Sequence, residues 1–497
     1  MKRPKSVLLW VEGLFVALFL LFLVLAVRLW SKETVVEPID PAALKLGPAS
    51  KEWFGVYFLD QKVGYAVTSR SSLQSGGTLV QTEAAWVSAR EGRIARAVIA
   101  SSAQLDADGR LKKFDTFVEA HPVRLAARGE VKGKELLIEI DQAGESQILS
   151  LDIEEPPHIG ASFSAWVAAL EDIRVSSKPH RVPYFDPLTL SQKDMLVRVS
   201  AVEVLASGEE AYWFERSFSG AKTRSLMLSD GQTLREENSI GLSMVRETPE
   251  KARTMPKTGE LVDVIALSAV PFDLDLSYAR SIRRLRLKVS GVPATQLAHE
   301  PPLQVVENDE VTIEVPALEA LPPLPLRSSD EALAPYLGRD PFLMIDHREI
   351  VEQSRSILAG IEDRKAGVDA LNRWVFDALD KVPTVGIPNA LEVLRVRQGD
   401  CNEHTALFVG LARAAGIPSR VVAGLVYSDR ITAEGAFFYH AWPEVFFGEA
   451  GWVPVEPTFG QFPADATHVK VVDGGLDKQI EIMSIMGRIA LKHVSTD

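Results

Sequence analysis

One cysteine, Cys401, is all the thiol in 497 residues, so no internal disulfide can form and pairing places no constraint on the redox compartment. Positive charge is also short. The chain has 54 Lys and Arg against 67 Asp and Glu, a net charge of −13, and without a basic stripe to neutralise phosphates general nucleic-acid binding is excluded. No small-x-small cleavage site follows the apolar run near the N-terminus, and no cysteine lies there for lipid attachment; both absences argue against a removed leader. What remains is ordinary. Contents of 46% apolar and 24% charged residues suit a globular chain able to bury the cores of roughly two to four domains.

The apolar run itself, Val7 to Val27, is preceded by Lys2, Arg3 and Lys5 and is long enough to cross about 30 Å of hydrocarbon as a helix. Cations at that end hold it in the cytoplasm and place everything after Trp30 outside, with Trp10 and Trp30 at interfacial depth and Glu12 near the cytoplasmic end. Residues 1–31 therefore read as a cytoplasmic basic tip and uncleaved transmembrane anchor of an inner membrane. Residues 32–50, charged and proline-bearing, read as a tether.

Residues 51–255 alternate apolar and polar positions and are rich in aromatic and β-branched types, which predicts a mostly antiparallel β domain. Asp108-Gly109 and Asp230-Gly231 carry the dipeptide favoured by two-residue hairpin turns, and Phe163–Leu170 is expected to form a short helix. One curved sheet and two similar units are both compatible with this pattern. Residues 256–320 predict a small β module, with strands over Arg283–Ser290 and Glu310–Val315. Pro322, Pro323 and Pro325 then mark residues 321–345 as an extended connector. In residues 346–497 helical spacing takes over at His347–Leu358 and Lys365–Leu379, where Val368, Leu371, Val375 and Leu379 share a face.

The lone thiol sits in Gly399-Asp400-Cys401-Asn402-Glu403-His404. Apolar residues at helical intervals follow it and stop at Gly416-Ile417-Pro418. Asp400 thus falls at the N-cap and Cys401 in the first turn, where unpaired N–H groups and the helix dipole favour thiolate. Further on, His440 in Tyr439-His440-Ala441-Trp442 and Glu456 in Trp452-Val453-Pro454-Val455-Glu456 lie on alternating patterns read as strands. They supply an imidazole and a carboxylate.

GDCNEH, the helix ending RAAGIPSR, the strand VVAGLVY, and then HAWPEV and GWVPVEPTFGQ together resemble the transglutaminase-like superfamily of papain-type cysteine enzymes. The resemblance covers roughly residues 346–488. It implies an α+β papain-like core, with Cys401 as nucleophile on a helix and with His440 as base and Glu456 as the acid orienting it, both on strands. That family usually carries Asp where this chain has Glu456, so restoring Asp is expected to be mild or even favourable. Asp465 is near enough in sequence to be an alternative carboxylate.

Asp400, Glu403, His404, Tyr439 and Trp442 are candidates for the substrate groove or for support of the triad. Cys401, His404 and His440 do not have the spacings of a zinc set, and no second thiolate exists; no metal and no cofactor are expected. The chemistry implied is attack of Cys401 on a peptide or isopeptide carbonyl and release of the thioester to water or to an amine. A protein or peptide substrate follows. The alternative is a non-catalytic transglutaminase-like module that binds a cell-envelope partner.

Overall fold

Alternating burial along Leu111–Ala120, one face in the core and the other in solvent, is typical of the strands between Leu46 and Arg246. The structure, a computed structural model, describes residues 36, 39, 44 and 46–497 apart from 91–92, 121–122, 171, 240, 258–259, 268, 277, 383, 385–386, 430–434, 476–477, 479–480 and 483–484. The expected membrane helix over residues 7–27, its flanking cations and most of the tether lie outside the described residues. Among the described residues no helix is long and apolar enough to cross a membrane.

Fourteen strands form one antiparallel sheet, which decides between the two organisations left open by the sequence. Two meanders, Leu46 to Asp152 and His180 to Arg246, are joined where Leu46–Phe58 pairs with Leu242–Arg246. The two Asp-Gly turns are longer than the sequence suggests. In the first, Asp106 accepts from the amides of Asp108 and Arg110 and widens the loop. In the second, Gly231 has φ 83° and a Cβ there would lie 2.1 Å from the Ser164 carbonyl, so glycine lets the Phe163–Ala168 helix close on the turn.

This sheet is docked on the helical part of the chain through side chains that satisfy backbone. Gln142 donates to the Ile387 carbonyl at 3.2 Å and accepts from Asn389 at 3.2 Å, while Gln147 donates to the Pro341 carbonyl at 3.0 Å. Ile387 and Phe342 enter the sheet's apolar core. The small module is likewise tied in: Arg284–Ser290 pairs with the C-terminal strand Ala490–Thr496, and Val270–Pro271 pairs with Ala436–Phe446.

Helices Arg348–Ile357, Arg364–Ala378, Ala390–Val396 and Cys401–Ala414 share one core with Val445, Val453 and Val455. Val368, Leu371, Val375 and Leu379 are all buried there. The Cys401 helix packs against the Ala436–Phe446 strand, which lies beside Ser419–Ser428 and Trp452–Pro454.

Candidate active site

Local sequence builds the thiol's position. Asp400 has extended backbone angles and its carboxylate accepts from the Asn402 amide at 3.1 Å, while Glu403 accepts from the Asp400 amide at 2.9 Å, closing a capping box. Glu403 also accepts from the Thr384 hydroxyl at 2.7 Å, and burial, with the Asp400 charge adding, holds its carboxyl well above the usual range. Cys401, 7% exposed, is the first helical residue. At the far end Gly416 takes φ 81° and the Ile417 amide bonds back to the Ala412 carbonyl, stopping the helix.

His404 stands one turn along, buried. Its Nδ1 lies 2.6 Å from the Asp400 carbonyl, which can only accept, so Nδ1 carries the proton. Burial holds this imidazole below its ordinary pKa, and its Nε2 has no hydrogen-bond partner. It is a neutral ring locked to the helix start.

His440, 5% exposed, projects from the middle of the Ala436–Phe446 strand opposite Gly424. A Cβ on Gly424 would meet the Trp442 ring at 2.7 Å and the Val469 carbonyl at 2.1 Å; glycine allows the sheet to close there. The His440 ring is stacked on Phe459, with centroids 5.2 Å apart and planes at 6°. Its Nε2 donates to Glu456 Oε2 at 2.6 Å.

Glu456 is not on a strand. The strand ends at Pro454, and Glu456 sits in a turn closed by reciprocal backbone bonds with Gln461 at 2.9 and 3.0 Å. Pro457, which has no N–H, starts the reversal. The carboxylate is fully buried and saturated: Oε1 accepts from the amides of Thr458 and Phe459 at 2.8 and 3.3 Å, and Oε2 accepts from both His440 and His468, the latter at 2.9 Å. Burial alone would raise its pKa. The His440 charge and the bonds from both imidazoles outweigh it and hold the carboxyl well below the usual range.

Asp465 does not reach His440. Its carboxylate faces Arg280 at 2.7 Å and the Thr467 amide at 2.9 Å, and its carbonyl faces His468. Trp442 is 1% exposed and lies edge-on to His468, so it supports the site from behind instead of walling a groove. Tyr439, adjacent to His440 on the strand, points to the opposite face and packs on the core around Leu285 and Leu425.

His468, Arg280 and Phe459 are the residues that sequence reasoning missed. His468 lies just before the Val469–Asp473 strand in an unremarkable alternating run, and no local signal marks it. His440, Glu456 and His468 have donor atoms within 4.8 Å of one another. Around a zinc ion ligand atoms stand roughly 3.2–3.5 Å apart, whereas here two imidazole nitrogens touch one carboxylate oxygen at 2.6 and 2.9 Å. That is hydrogen-bond geometry. A cavity of about 300 Å³ lies on the side of the Cys401 helix that carries Asn402, Thr405 and Ala406, with Ala441 and Val421 across from them. Asn402 Oδ1 and Thr405 Oγ1 are buried without partners.

Comparison with known proteins finds the same part of the chain. Residues 352–457 match the family model of the transglutaminase-like superfamily. A protein-glutamine gamma-glutamyltransferase of Pseudomonas aeruginosa is 35% identical over 122 residues, 23% of this chain and 17% of that protein. Protein YebA of Bacillus subtilis, uncharacterised, is 35% identical over 95 residues, 17% of this chain and 13% of that protein. The chain therefore spans under a fifth of the length of these two curated relatives. A Cytophaga hutchinsonii structure, described as that of a candidate cysteine protease, is 16% identical with a TM-score of 0.28, covering 44% of this chain and 84% of that one.

Proposed function

We propose that this chain, whose residues 352–457 form a transglutaminase-like domain, is a membrane-anchored extracytoplasmic cysteine enzyme that cleaves or transfers peptide or isopeptide amides through a thioester. The observation that carries the reading is the 2.6 Å bond to a saturated, buried Glu456 from His440, whose strand packs against the helix that begins at Cys401. Nε2 of His440 is committed to Glu456, so proton exchange with the thiol falls to Nδ1.

Cys401 attacks the carbonyl carbon and its S–H proton passes to His440. The carbonyl oxygen takes the negative charge beside the helix N-terminus, where the Cys401 amide is placed to donate. Collapse of that intermediate expels the amine, which takes the proton from His440, and leaves the acyl group on sulfur. Water or a second amine then attacks with His440 as base. Glu456 fixes the imidazole tautomer and stabilises its cationic form throughout. Membrane anchoring rests on the apolar run Val7 to Val27 behind Lys2, Arg3 and Lys5.

The test uses dimethylcasein as acyl donor and monodansylcadaverine as amine, following dye incorporation and ammonia release, with casein cleavage measured in parallel. Wild type should give at least one of these products, and Cys401→Ala none. Equal signals from the two proteins would remove the enzyme reading.

A further inference from the structure

His468 is 3% exposed and lies between two carboxyl groups. Its Nδ1 is 3.0 Å from the Asp465 carbonyl and 3.6 Å from that residue's carboxylate, and its Nε2 is 2.9 Å from Glu456 Oε2. A carbonyl oxygen accepts only, so Nδ1 carries hydrogen. Glu456 is surrounded by donors on both oxygens, so it too accepts, and Nε2 carries hydrogen as well. A ring protonated at both nitrogens is a cation. Burial opposes that charge, but Asp465 and then Glu456 outweigh it and lift the His468 pKa to about 9.

The pattern continues outward. Asp465, itself fully buried, is paired with Arg280, whose side chain is 38% exposed. The guanidinium lies over the Phe459 ring at 4.3 Å, and Phe459 is the ring stacked on His440. Glu456, His468, Asp465 and Arg280 thus form a row of alternating charge running from the catalytic base to the surface; its inner end touches His440 directly, and its outer end reaches that ring only through Phe459. Resting on the enzyme reading above, we infer that His468 is a positioning residue of this centre, an internal cation that aims the shared Glu456 oxygen at His440 and tempers the negative field that His440 feels. This also accounts for glutamate at position 456: the longer side chain places one oxygen between two imidazoles while its other oxygen stays on the turn amides.

The experiment is the pH profile of Cys401 alkylation by iodoacetamide in the full chain, which needs no substrate. A wild-type midpoint at or above the ordinary thiol value of about 8.5 would defeat the nucleophile reading itself, whatever His468 does. With a depressed midpoint in hand, His468→Gln can keep one N–H on Glu456 while it removes the charge and the N–H to the Asp465 carbonyl. The His440 cation is then held more strongly. The inflection on the alkaline side of the profile, where His440 gives up the proton that partners the thiolate, should rise by about half a unit to two units, the span that Coulomb's law gives between water-like and protein-like screening at the 5.7 Å separation of the two rings. Arg280→Gln, at the partly exposed end of the row, leaves Asp465 its Thr467 and His468 partners; it should shift the inflection in the same direction by less, and decides the matter alone if His468→Gln does not fold. A residue with a merely structural role would change the amount of folded protein and leave the inflection in place. An unmoved inflection in either folded variant would overturn the inference.

Discussion

Glu456→Asp separates the family-based expectation from the geometry. By resemblance alone the shorter acid should serve as well or better. In the structure the glutamate oxygen is 2.6 Å from His440 and 2.9 Å from His468 while its partner oxygen is held by the turn amides of Thr458 and Phe459. Removing one methylene withdraws the carboxylate by about 1.5 Å. Both imidazole contacts then open to roughly 4 Å, beyond hydrogen bonding, unless the turn moves inward. The reciprocal Glu456–Gln461 backbone bonds resist that movement. A hydrogen bond to a charged group is worth about 1.5–3 kcal/mol, so loss of the His440 contact alone should slow acyl transfer by about 10- to 150-fold. The stranded His468 cation should cost a similar amount of folding stability. Glu456→Gln should be worse, because its NH₂ must face either the two imidazole donors or the two turn amides. Dye incorporation, ammonia release or casein cleavage reads the first effect and a denaturant melt of the same samples the second, while iodoacetamide alkylation of Cys401 near pH 6.5 reports thiolate formation without substrate. Wild-type turnover, alkylation and stability in Glu456→Asp would refute the claim that this carboxylate works through its reach.

Three further outcomes follow from the buried charges and the N-terminus. His468 has its pKa raised from 6.5 to about 9, so its contribution is complete below pH 6.5 and disappears as pH rises through about 9; Asp465 and Glu456, held low, lose theirs on acidification instead. Denaturant stability should therefore fall by about 3 kcal/mol on the alkaline side, and a fall of the same size in His468→Gln would assign it elsewhere. Burial lifts Glu392 from 4.5 to about 7, against the lowering influence of Arg124 and Gln142, so its ionisation opposes folding as pH rises through that range. Glu392→Gln should stabilise the chain above pH 7 by about 1 kcal/mol, allowing for its partial exposure, and do nothing near pH 4.5; equal effects at both pH values would contradict this. For topology, protease added to intact spheroplasts should digest the body of the protein, and protection until lysis would place that body in the cytoplasm.

The elements legible in the sequence are those whose determinants are local. Asp400, Glu403 and Gly416 delimit the Cys401 helix within a few residues of its ends, and the predicted helices at 347–358 and 365–379 match Arg348–Ile357 and Arg364–Ala378, because an amphipathic period is readable wherever one face must be buried. Hairpins were equally visible in the alternation, although their loop lengths were not, since Asp106 reaches back to two amides in its own turn.

Tertiary structure alone decided the rest. Whether the β region is one sheet depended on Leu46–Phe58 meeting Leu242–Arg246, a pairing that many exposed edges could have offered. The choice of Glu456 over Asp465 depended on a turn bending one carboxylate toward His440 while the other was claimed by Arg280, 185 residues away in sequence. His468 carries no local signature, because its meaning lies in the two acids packed against it. Backbone propensity and burial period are properties of neighbouring residues and are written along the chain; a buried charge is stable only where the folded chain supplies its counter-charge, and that depends on which distant segments the packing brings together.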